Sequence, residues 1–161
     1  SSNKEYEEVI NVIEKELIYL KAKWPKNIPR GIIHADVFPD NVFFENKKFS
    51  GLIDFYFACQ DFLSYDLALT INAWCFDHED KIDFDKFSSI INGYQINRNL
   101  TNEEKNSLSI LLRGAALRIL LTRLHDKIYH SEGAFVEIKD PTEYLNKLKF
   151  HQNNNMADFI K

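Results

Sequence analysis

Four polar residues between positions 34 and 54 have the types and spacing needed for group-transfer chemistry. His34, Asp36 and Asn41 form an H-x-D-x-x-x-x-N pattern, and Asp54 follows the apolar pair Leu52-Ile53. Transfer of a phosphoryl group to an alcohol requires a carboxylate that accepts the hydroxyl proton, together with oxygen ligands that hold Mg²⁺ on the phosphates of ATP. Asp36 suits the first role, and Asn41 and Asp54 suit the second. The pattern therefore predicts an ATP-dependent phosphotransferase site.

A different interpretation of the same residues is a structural or hydrolytic one. An H-x-D triplet alone arises by chance, and a single histidine before the end of a strand is more often a core residue than a catalytic one. A metal-hydrolase site of histidine and aspartate is weakened because the remaining histidines form no pair of ligands at helical spacing near acids. Those histidines are His78, His125, His130 and His151.

Short apolar runs around the motif predict the strands that must position it. Gly31-Ile32-Ile33 is typical of a short buried strand. The β-rich runs at 42–45 and 49–53 flank Asn46-Lys47-Lys48 and predict a hairpin. Because a hairpin folds back on itself, Asp54 should return to the vicinity of Asn41.

The remainder of the chain has helical periodicity. We predict helices at 3–24 and from Ser64 to about 76, and a helical apolar face between Phe84 and Tyr94. A long central helix at 101–129 should begin with a capping box formed by Thr101 and Glu104. A last helix follows Asp140-Pro141, and residues 151–161 are expected to form a flexible tail. The fold class is thus mostly α (α+β), in a single domain that covers residues 1–161.

Composition excludes several classes of function. With 20 Lys+Arg against 24 Asp+Glu, the chain lacks the positive charge of a nucleic-acid-binding protein. No stretch is long and apolar enough to span a membrane, and we expect no membrane partner. We interpret Cys59 and Cys75 as reduced core thiols of a cytoplasmic protein.

Residues from Gly31 to Phe55 resemble the catalytic segment of the aminoglycoside-phosphotransferase and choline-kinase superfamily, whose members are related to protein kinases. Further motifs resemble, within that superfamily, the homoserine kinases. The matching segments are 34–42, 51–59, Tyr65-Asp66-Leu67-Ala68, 72–76, 113–118, 121–124 and Asp140-Pro141. The resemblance spans roughly residues 28–150 and implies the C-terminal helical lobe of a protein-kinase-like fold, with the hairpin at the catalytic loop.

This resemblance implies a role for each motif residue. Asp36 would be the catalytic base, and Asn41 and Asp54 would bind Mg²⁺. His34 would brace the catalytic loop, and Asp66 would hydrogen-bond the loop backbone from the start of a helix. An equally good interpretation of Asp66 is an ordinary acid in the first turn of a helix, where the helix dipole favours it.

The acceptor implied by the resemblance is L-homoserine, which carries a carboxylate, an ammonium group and the reacting hydroxyl. An arginine fork suits the carboxylate, and the long helix offers Arg113, Arg118 and Arg123. Five-residue steps turn each arginine about 140° from the previous one, so the three cannot share one face. We favour Arg118 because it lies in the most apolar part of the helix, and Tyr56 and Trp74 are candidate walls of the pocket.

The chain also departs from the superfamily pattern. It has five glycines and no G-x-G-x-x-G segment, and no strand-borne lysine precedes Gly31. We therefore expect the N-terminal nucleotide lobe to be missing. The isolated 161 residues should fold without kinase activity and expose an apolar surface, which a homodimer would bury. The predicted function of the complete protein is phosphorylation of L-homoserine in threonine biosynthesis. The alternatives are another small-alcohol kinase (acting on choline, an aminoglycoside or a sugar) and a non-catalytic binding module of the same fold.

Overall fold

The computed structural model describes residues 2–129 and 138–160. Its α-helices are α1 (Ser2–Lys23), α2 (Leu63–Trp74), α3 (Phe84–Asn97), α4 (Asn102–Tyr129) and α5 (Thr142–Asn153). Its strands are β1 (Arg30–Ile33), β2 (Val42–Glu45), β3 (Lys48–Leu52) and β4 (Cys59–Phe62). The predicted mostly α class with a small hairpin is confirmed. None of the helices in these residues is long and apolar enough to cross a lipid bilayer.

The central element is α4, as its apolar circumference predicts. Thr101 and Glu104 form the predicted capping box: the Glu104 N–H donates to the Thr101 hydroxyl at 3.2 Å, and the Thr101 N–H donates to the Glu104 carboxylate at 3.0 Å. Along the helix, apolar side chains are buried against α1, α2 and α5. They are Leu108, Leu111, Leu112, Ala115, Ala116, Leu117 and Leu120.

A glycine allows α4 to approach the end of α1. A Cβ atom on Gly114 would lie 2.3 Å from the indole ring of Trp24. A larger residue at 114 would therefore push the indole out of its place between the two helices. The Arg113 guanidinium beside it donates two hydrogen bonds of 2.7 Å to the buried Glu16 of α1.

The strands form two small antiparallel pairs. The β2–β3 hairpin turns at Asn46 and Lys47, whose φ angles of 49° and 63° are those of the two-residue turn favoured in hairpins. In the second pair, β4 lies beside β1, with Arg30 opposite Phe62 and Ile33 opposite Cys59. The sequence did not predict β4, because a four-residue segment with two polar residues has no distinct strand signal.

Two expectations about buried residues differ from the structure. Cys75 is buried as expected, but Cys59 is exposed, because it lies at the end of the two-stranded sheet. Residues 151–160, predicted as a flexible tail, pack on the helices. His151 and Met156 are buried, and the Met156 N–H donates to Ser109 of α4 at 2.8 Å. The asparagine-rich sequence predicted fraying, but one apolar side chain and polar contacts attach this segment to α4.

Candidate active site

An open cavity of about 340 Å³ lies between the hairpin side of the molecule and α4. The strand-side lining includes Asp36, Asn41 and Asp54, the three residues that the motif assigned to catalysis. The remaining lining residues are Phe38, Asp40, Ile119, Thr122, Arg123, Asp126 and Lys139. The fold therefore brings the predicted base and both predicted metal ligands to one cavity.

The loop after β1 holds Asp36 through its neighbours. Ala35 has a φ of 62°, a left-handed conformation that turns the chain sharply before Asp36. The side-chain amide of Asn41 donates to the Asp36 carboxylate at 3.0 Å and to the Asp36 carbonyl at 2.9 Å. Because the Asn41 nitrogen serves Asp36, its side-chain oxygen is left for another ligand.

Asp66, in the first turn of α2, holds the same loop. Its two carboxylate oxygens accept hydrogen bonds from the backbone N–H groups of His34 at 3.1 Å and Ala35 at 2.7 Å. A carboxylate that accepts two backbone donors can stabilise a strained turn, since each charge-assisted bond is stronger than a neutral one. The geometry agrees with the loop-bracing role that the resemblance implies for Asp66.

His34 connects the loop of Asp36 to the segment that carries Asp54. The His34 Nδ1 accepts the Asp36 N–H at 3.2 Å, so the ring proton lies on Nε2, which donates to the Ile53 carbonyl at 3.0 Å. The Ile53 N–H in turn donates to the Asn41 carbonyl at 3.0 Å. The backbone of Ile53 thus hydrogen-bonds to His34 and to Asn41, and these two bonds place the next residue, Asp54, beside Asn41.

Asp54 occupies a strained backbone position at the end of the hairpin. Its φ of 64° is left-handed, and its Oδ1 accepts the Tyr56 N–H at 3.4 Å. Strained conformations of this kind persist where the surrounding contacts require them, and they are common at functional sites. Among the described residues, nothing else hydrogen-bonds to the Asp54 carboxylate, which is exposed at the cavity.

Arg118, the predicted substrate arginine, does not line the cavity. Its Nη1 donates to the Ala35 carbonyl at 3.1 Å, and its guanidinium lies 5.4 Å from the centre of the Phe57 ring. The structure thus places Arg118 as a further support of the catalytic loop. Its apolar sequence neighbours made it look like a pocket residue, whereas those neighbours are the core of α4 and Arg118 reaches past them.

The two predicted pocket walls also lie off the cavity. Trp74 is half-buried, and its indole N–H donates to the Val37 carbonyl at 2.8 Å, which braces the loop after Asp36. Tyr56 has 87% of its surface exposed and stacks edge-on with Phe57. Aromatic residues near a motif are easily assigned to a pocket, but only the fold determines which face they present.

Sequence reasoning missed several lining residues on the far side of the cavity. Arg123 is 9% exposed and is held by the Asp140 carbonyl and the Glu143 carboxylate. Lys139 pairs with Asp40 at 2.9 Å. The sequence analysis named Arg123 as one of three candidate arginines but favoured Arg118, because the partners of Arg123 are distant in the chain: Glu143 lies on α5, and Asp140 lies just before it.

An acid on α5, Glu143, accepts hydrogen bonds from both Arg123 and Lys147. Burial alone would raise the pKa of Glu143, but hydrogen bonds from Lys147 and Arg123 outweigh it and lower the pKa below its usual value. Burial lowers the pKa of Lys147, and contact with Glu143 opposes that change. The pKa of Glu143 and the pKa of Lys147 therefore depend on each other.

Comparisons with known proteins give the family of this chain. The family model described as "Phosphotransferase enzyme family" matches residues 2–88, which is more than half of the chain. Homoserine kinase from Sinorhizobium fredii is 53% identical over 140 residues, covering 87% of this chain and 43% of that protein. Homoserine kinases from Xanthobacter autotrophicus and Rhizobium etli are 54% and 53% identical, over 88% and 90% of this chain and 44% and 45% of theirs. The chain thus spans less than half the length of these curated relatives, and it belongs to the phosphotransferase enzyme family.

Proposed function

We propose that the complete protein transfers the γ-phosphoryl group of ATP to the side-chain hydroxyl of L-homoserine in the cytoplasm, a step of threonine biosynthesis. The observation that carries this proposal is that Asp36, Asn41 and Asp54 line one cavity. Asn41 donates directly to Asp36, and the backbone of Ile53, the residue before Asp54, hydrogen-bonds to His34 and to Asn41. Relatives about half identical to the chain bear the name homoserine kinase, which favours this acceptor over choline, sugars and aminoglycosides.

In this reaction Asp36 acts as the general base. The acceptor hydroxyl loses its proton to the Asp36 carboxylate as its oxygen bonds to the γ-phosphorus, and the bond from that phosphorus to the ADP oxygen breaks. Asn41 donates to the Asp36 carboxylate at 3.0 Å and fixes its orientation. Such positioning is the main contribution that a protein makes to phosphoryl transfer.

The donor set at the cavity fits Mg²⁺. This ion prefers oxygen ligands and is usually bound by one or two carboxylates together with substrate phosphates and water. The Asp54 carboxylate and the Asn41 side-chain oxygen would hold it, since the Asn41 nitrogen is occupied by Asp36. Among the described residues, no three His, Cys, Asp or Glu side chains form a metal-binding group. When bound, Mg²⁺ neutralises charge on the phosphates.

We also propose that a second lobe, outside these 161 residues, covers the hairpin side and supplies the rest of the ATP site. Large apolar side chains of the hairpin and of the turn after it are exposed, which is unusual for a surface that faces only water. They are Phe43, Phe44, Phe49, Ile53, Phe55, Tyr56 and Phe57. The 161 residues alone should therefore fold but turn over little or no ATP.

An acceptor screen with the full-length protein tests the proposal. ATP consumption would be measured with Mg²⁺ and, separately, L-homoserine, choline, a set of sugars and a set of aminoglycosides. We expect turnover with L-homoserine and formation of O-phospho-L-homoserine. Turnover only with another alcohol would overturn the acceptor assignment, and no turnover with any alcohol would indicate a non-catalytic module.

A further inference from the structure

One face of α4 borders the cavity opposite Asp36. Arg123 and Asp126 both line it, and residues three apart on a helix are neighbours on its surface. The lining also carries three acids, Asp36, Asp40 and Asp54, and one exposed lysine, Lys139, which pairs with Asp40. A buried arginine beside an aspartate in a mainly acidic lining suggests a site for a ligand that carries both charges.

In the part of the chain that the structure describes, the Arg123 guanidinium makes its hydrogen bonds through Nη1. Its Nη1 donates to the Asp140 carbonyl at 2.9 Å and to the Glu143 carboxylate at 2.6 Å. Its planar group lies 4.5 Å from the centre of the Tyr144 ring. Among the described residues, neither Nε nor Nη2 has a hydrogen-bond partner. These two nitrogens carry the parallel N–H groups with which arginine grips a carboxylate in a two-pronged manner.

We propose that Arg123 binds the α-carboxylate of the acceptor through Nε and Nη2, and that Asp126 attracts the acceptor's ammonium group. This inference rests on the proposed function, and it names the residues that make the site specific for an α-amino acid. A carboxylate on Arg123 and an ammonium near Asp126 would anchor one end of the acceptor at α4. The hydroxyl at its other end would then point across the cavity toward Asp36.

The other cations near the site suit this role less well. Arg118 is bound to the Ala35 carbonyl and does not line the cavity. Lys139 lines it, but its side chain is 52% exposed and already pairs with Asp40. Charges so exposed are screened by solvent. Arg123 is the buried cation of the lining, and its contacts hold it without using its carboxylate-binding edge.

Glu143 is a positioning residue in this arrangement. It accepts hydrogen bonds from Arg123 and from Lys147, whose ammonium also donates to the Asn72 carbonyl at 2.9 Å. Removal of the Glu143 charge would free the guanidinium to rotate and would leave Lys147 with a weaker partner. We expect such a change to raise KM for the acceptor more than it lowers kcat.

The test compares Arg123→Gln with wild type in the full-length protein, using L-homoserine, aminopropanol (which lacks the carboxylate) and γ-hydroxybutyrate (which lacks the ammonium). Arg123→Gln should lower kcat/KM for L-homoserine about 100-fold, since a charged two-pronged contact is lost. It should change kcat/KM for aminopropanol less than about threefold, and KM for ATP should stay the same. Asp126→Asn should lower kcat/KM for L-homoserine about tenfold and leave γ-hydroxybutyrate unaffected.

Three further variants keep the test decisive. Arg30→Gln alters an exposed arginine of β1 that pairs with Asp61, away from the cavity, and should behave as wild type. If Arg123→Gln fails to fold, Arg123→Lys and Glu143→Gln can replace it. Each should raise KM for L-homoserine, but only about tenfold, because each retains part of the contact. An unchanged preference for L-homoserine over aminopropanol in any folded Arg123 variant would overturn the inference while the proposed function stands. No turnover of L-homoserine by wild type would overturn both.

Discussion

The helical body of this molecule (α1, α2, α4 and α5) and its strand side (β1 to β4 with the loops that join them) are stabilised by different interactions. In the body, the buried apolar side chains of α2, α4 and α5 pack against one another and against Leu20 of α1, although the outer face of α1 exposes Ile10 and Ile18. On the strand side, large apolar side chains such as Phe49 and Tyr56 are exposed, and the conformation depends on a few polar contacts. Several of those contacts come from the body, from Asp66, Trp74 and Arg118. Stability and site geometry should therefore respond to different substitutions.

The largest effect on stability should come from the centre of the body. Leu112 is fully buried on α4, so Leu112→Ala should lower the free energy of unfolding by about 3–5 kcal/mol, because a cavity remains. Phe49→Ala on the exposed hairpin is the control. In denaturant unfolding of the 161-residue chain, the free energy of unfolding of this control variant should fall by no more than about 0.5 kcal/mol. Equal losses of unfolding free energy in Leu112→Ala and Phe49→Ala would show that the body and the strand side contribute equally to stability.

Asp54 should affect nucleotide binding rather than stability. Asp54→Ala removes a proposed Mg²⁺ ligand, and we expect the affinity of the full-length protein for Mg²⁺-ATP to fall about 100-fold. Calorimetry at several Mg²⁺ concentrations measures this effect. Asp61→Ala, on the neighbouring strand β4, serves as the control. Normal binding of ATP by Asp54→Ala, insensitive to Mg²⁺, would remove Asp54 from the metal site.

Asp66 tests how strongly the body holds the catalytic loop. Asp66→Ala leaves the N–H groups of His34 and Ala35 without acceptors, so we expect turnover to fall about 10- to 100-fold and stability to drop by about 1–3 kcal/mol. Asp85, which also lies in the first turn of a helix, is the matched control. If Asp85→Ala and Asp66→Ala have the same small effect, Asp66 is only a favourable helix-terminal acid.

His151 should make the folded protein less stable in mildly acidic solution than at neutral pH. Burial, with smaller effects from Lys147 and Arg113, lowers the pKa of His151 to about 3. The unfolded chain binds this proton below about pH 6.5 but the folded chain does not, so stability falls as the pH drops from 6.5 toward 3. The loss between pH 6.5 and 5 should be about 1.5 kcal/mol.

Denaturant unfolding at several pH values measures this loss. His151→Gln can keep the hydrogen bond that the His151 Nε2 makes to Asn72 and should flatten the dependence. His125→Gln alters an exposed ring and should leave the pH dependence of stability as it is in wild type. An identical pH slope in wild type and His151→Gln would contradict the buried neutral histidine.

The sequence predicted best the features that depend on local interactions. The capping box at Thr101, the apolar α4 and the hairpin around Asn46 each follow from residues close in the chain. The convergence of Asp36, Asn41 and Asp54 on one cavity also followed, because one hairpin joins them. Features that depend on distant partners were not predicted: β4 needs β1 beside it, and the choice of Arg123 among the three candidate arginines depends on Glu143 of α5. Arg118 was expected in the pocket, and its local apolar context could not show that its guanidinium donates to the Ala35 carbonyl instead of lining the cavity.

We propose that the strand side carries the catalytic residues while the body carries the stability, and Asp36→Asn tests this division most directly. In the full-length protein, turnover with L-homoserine would be measured beside ATP affinity and thermal unfolding. Loss of a general base lowers the rate about 10²- to 10⁴-fold, and we expect that loss with ATP affinity and the unfolding temperature nearly unchanged. Near-normal turnover in Asp36→Asn would contradict the account.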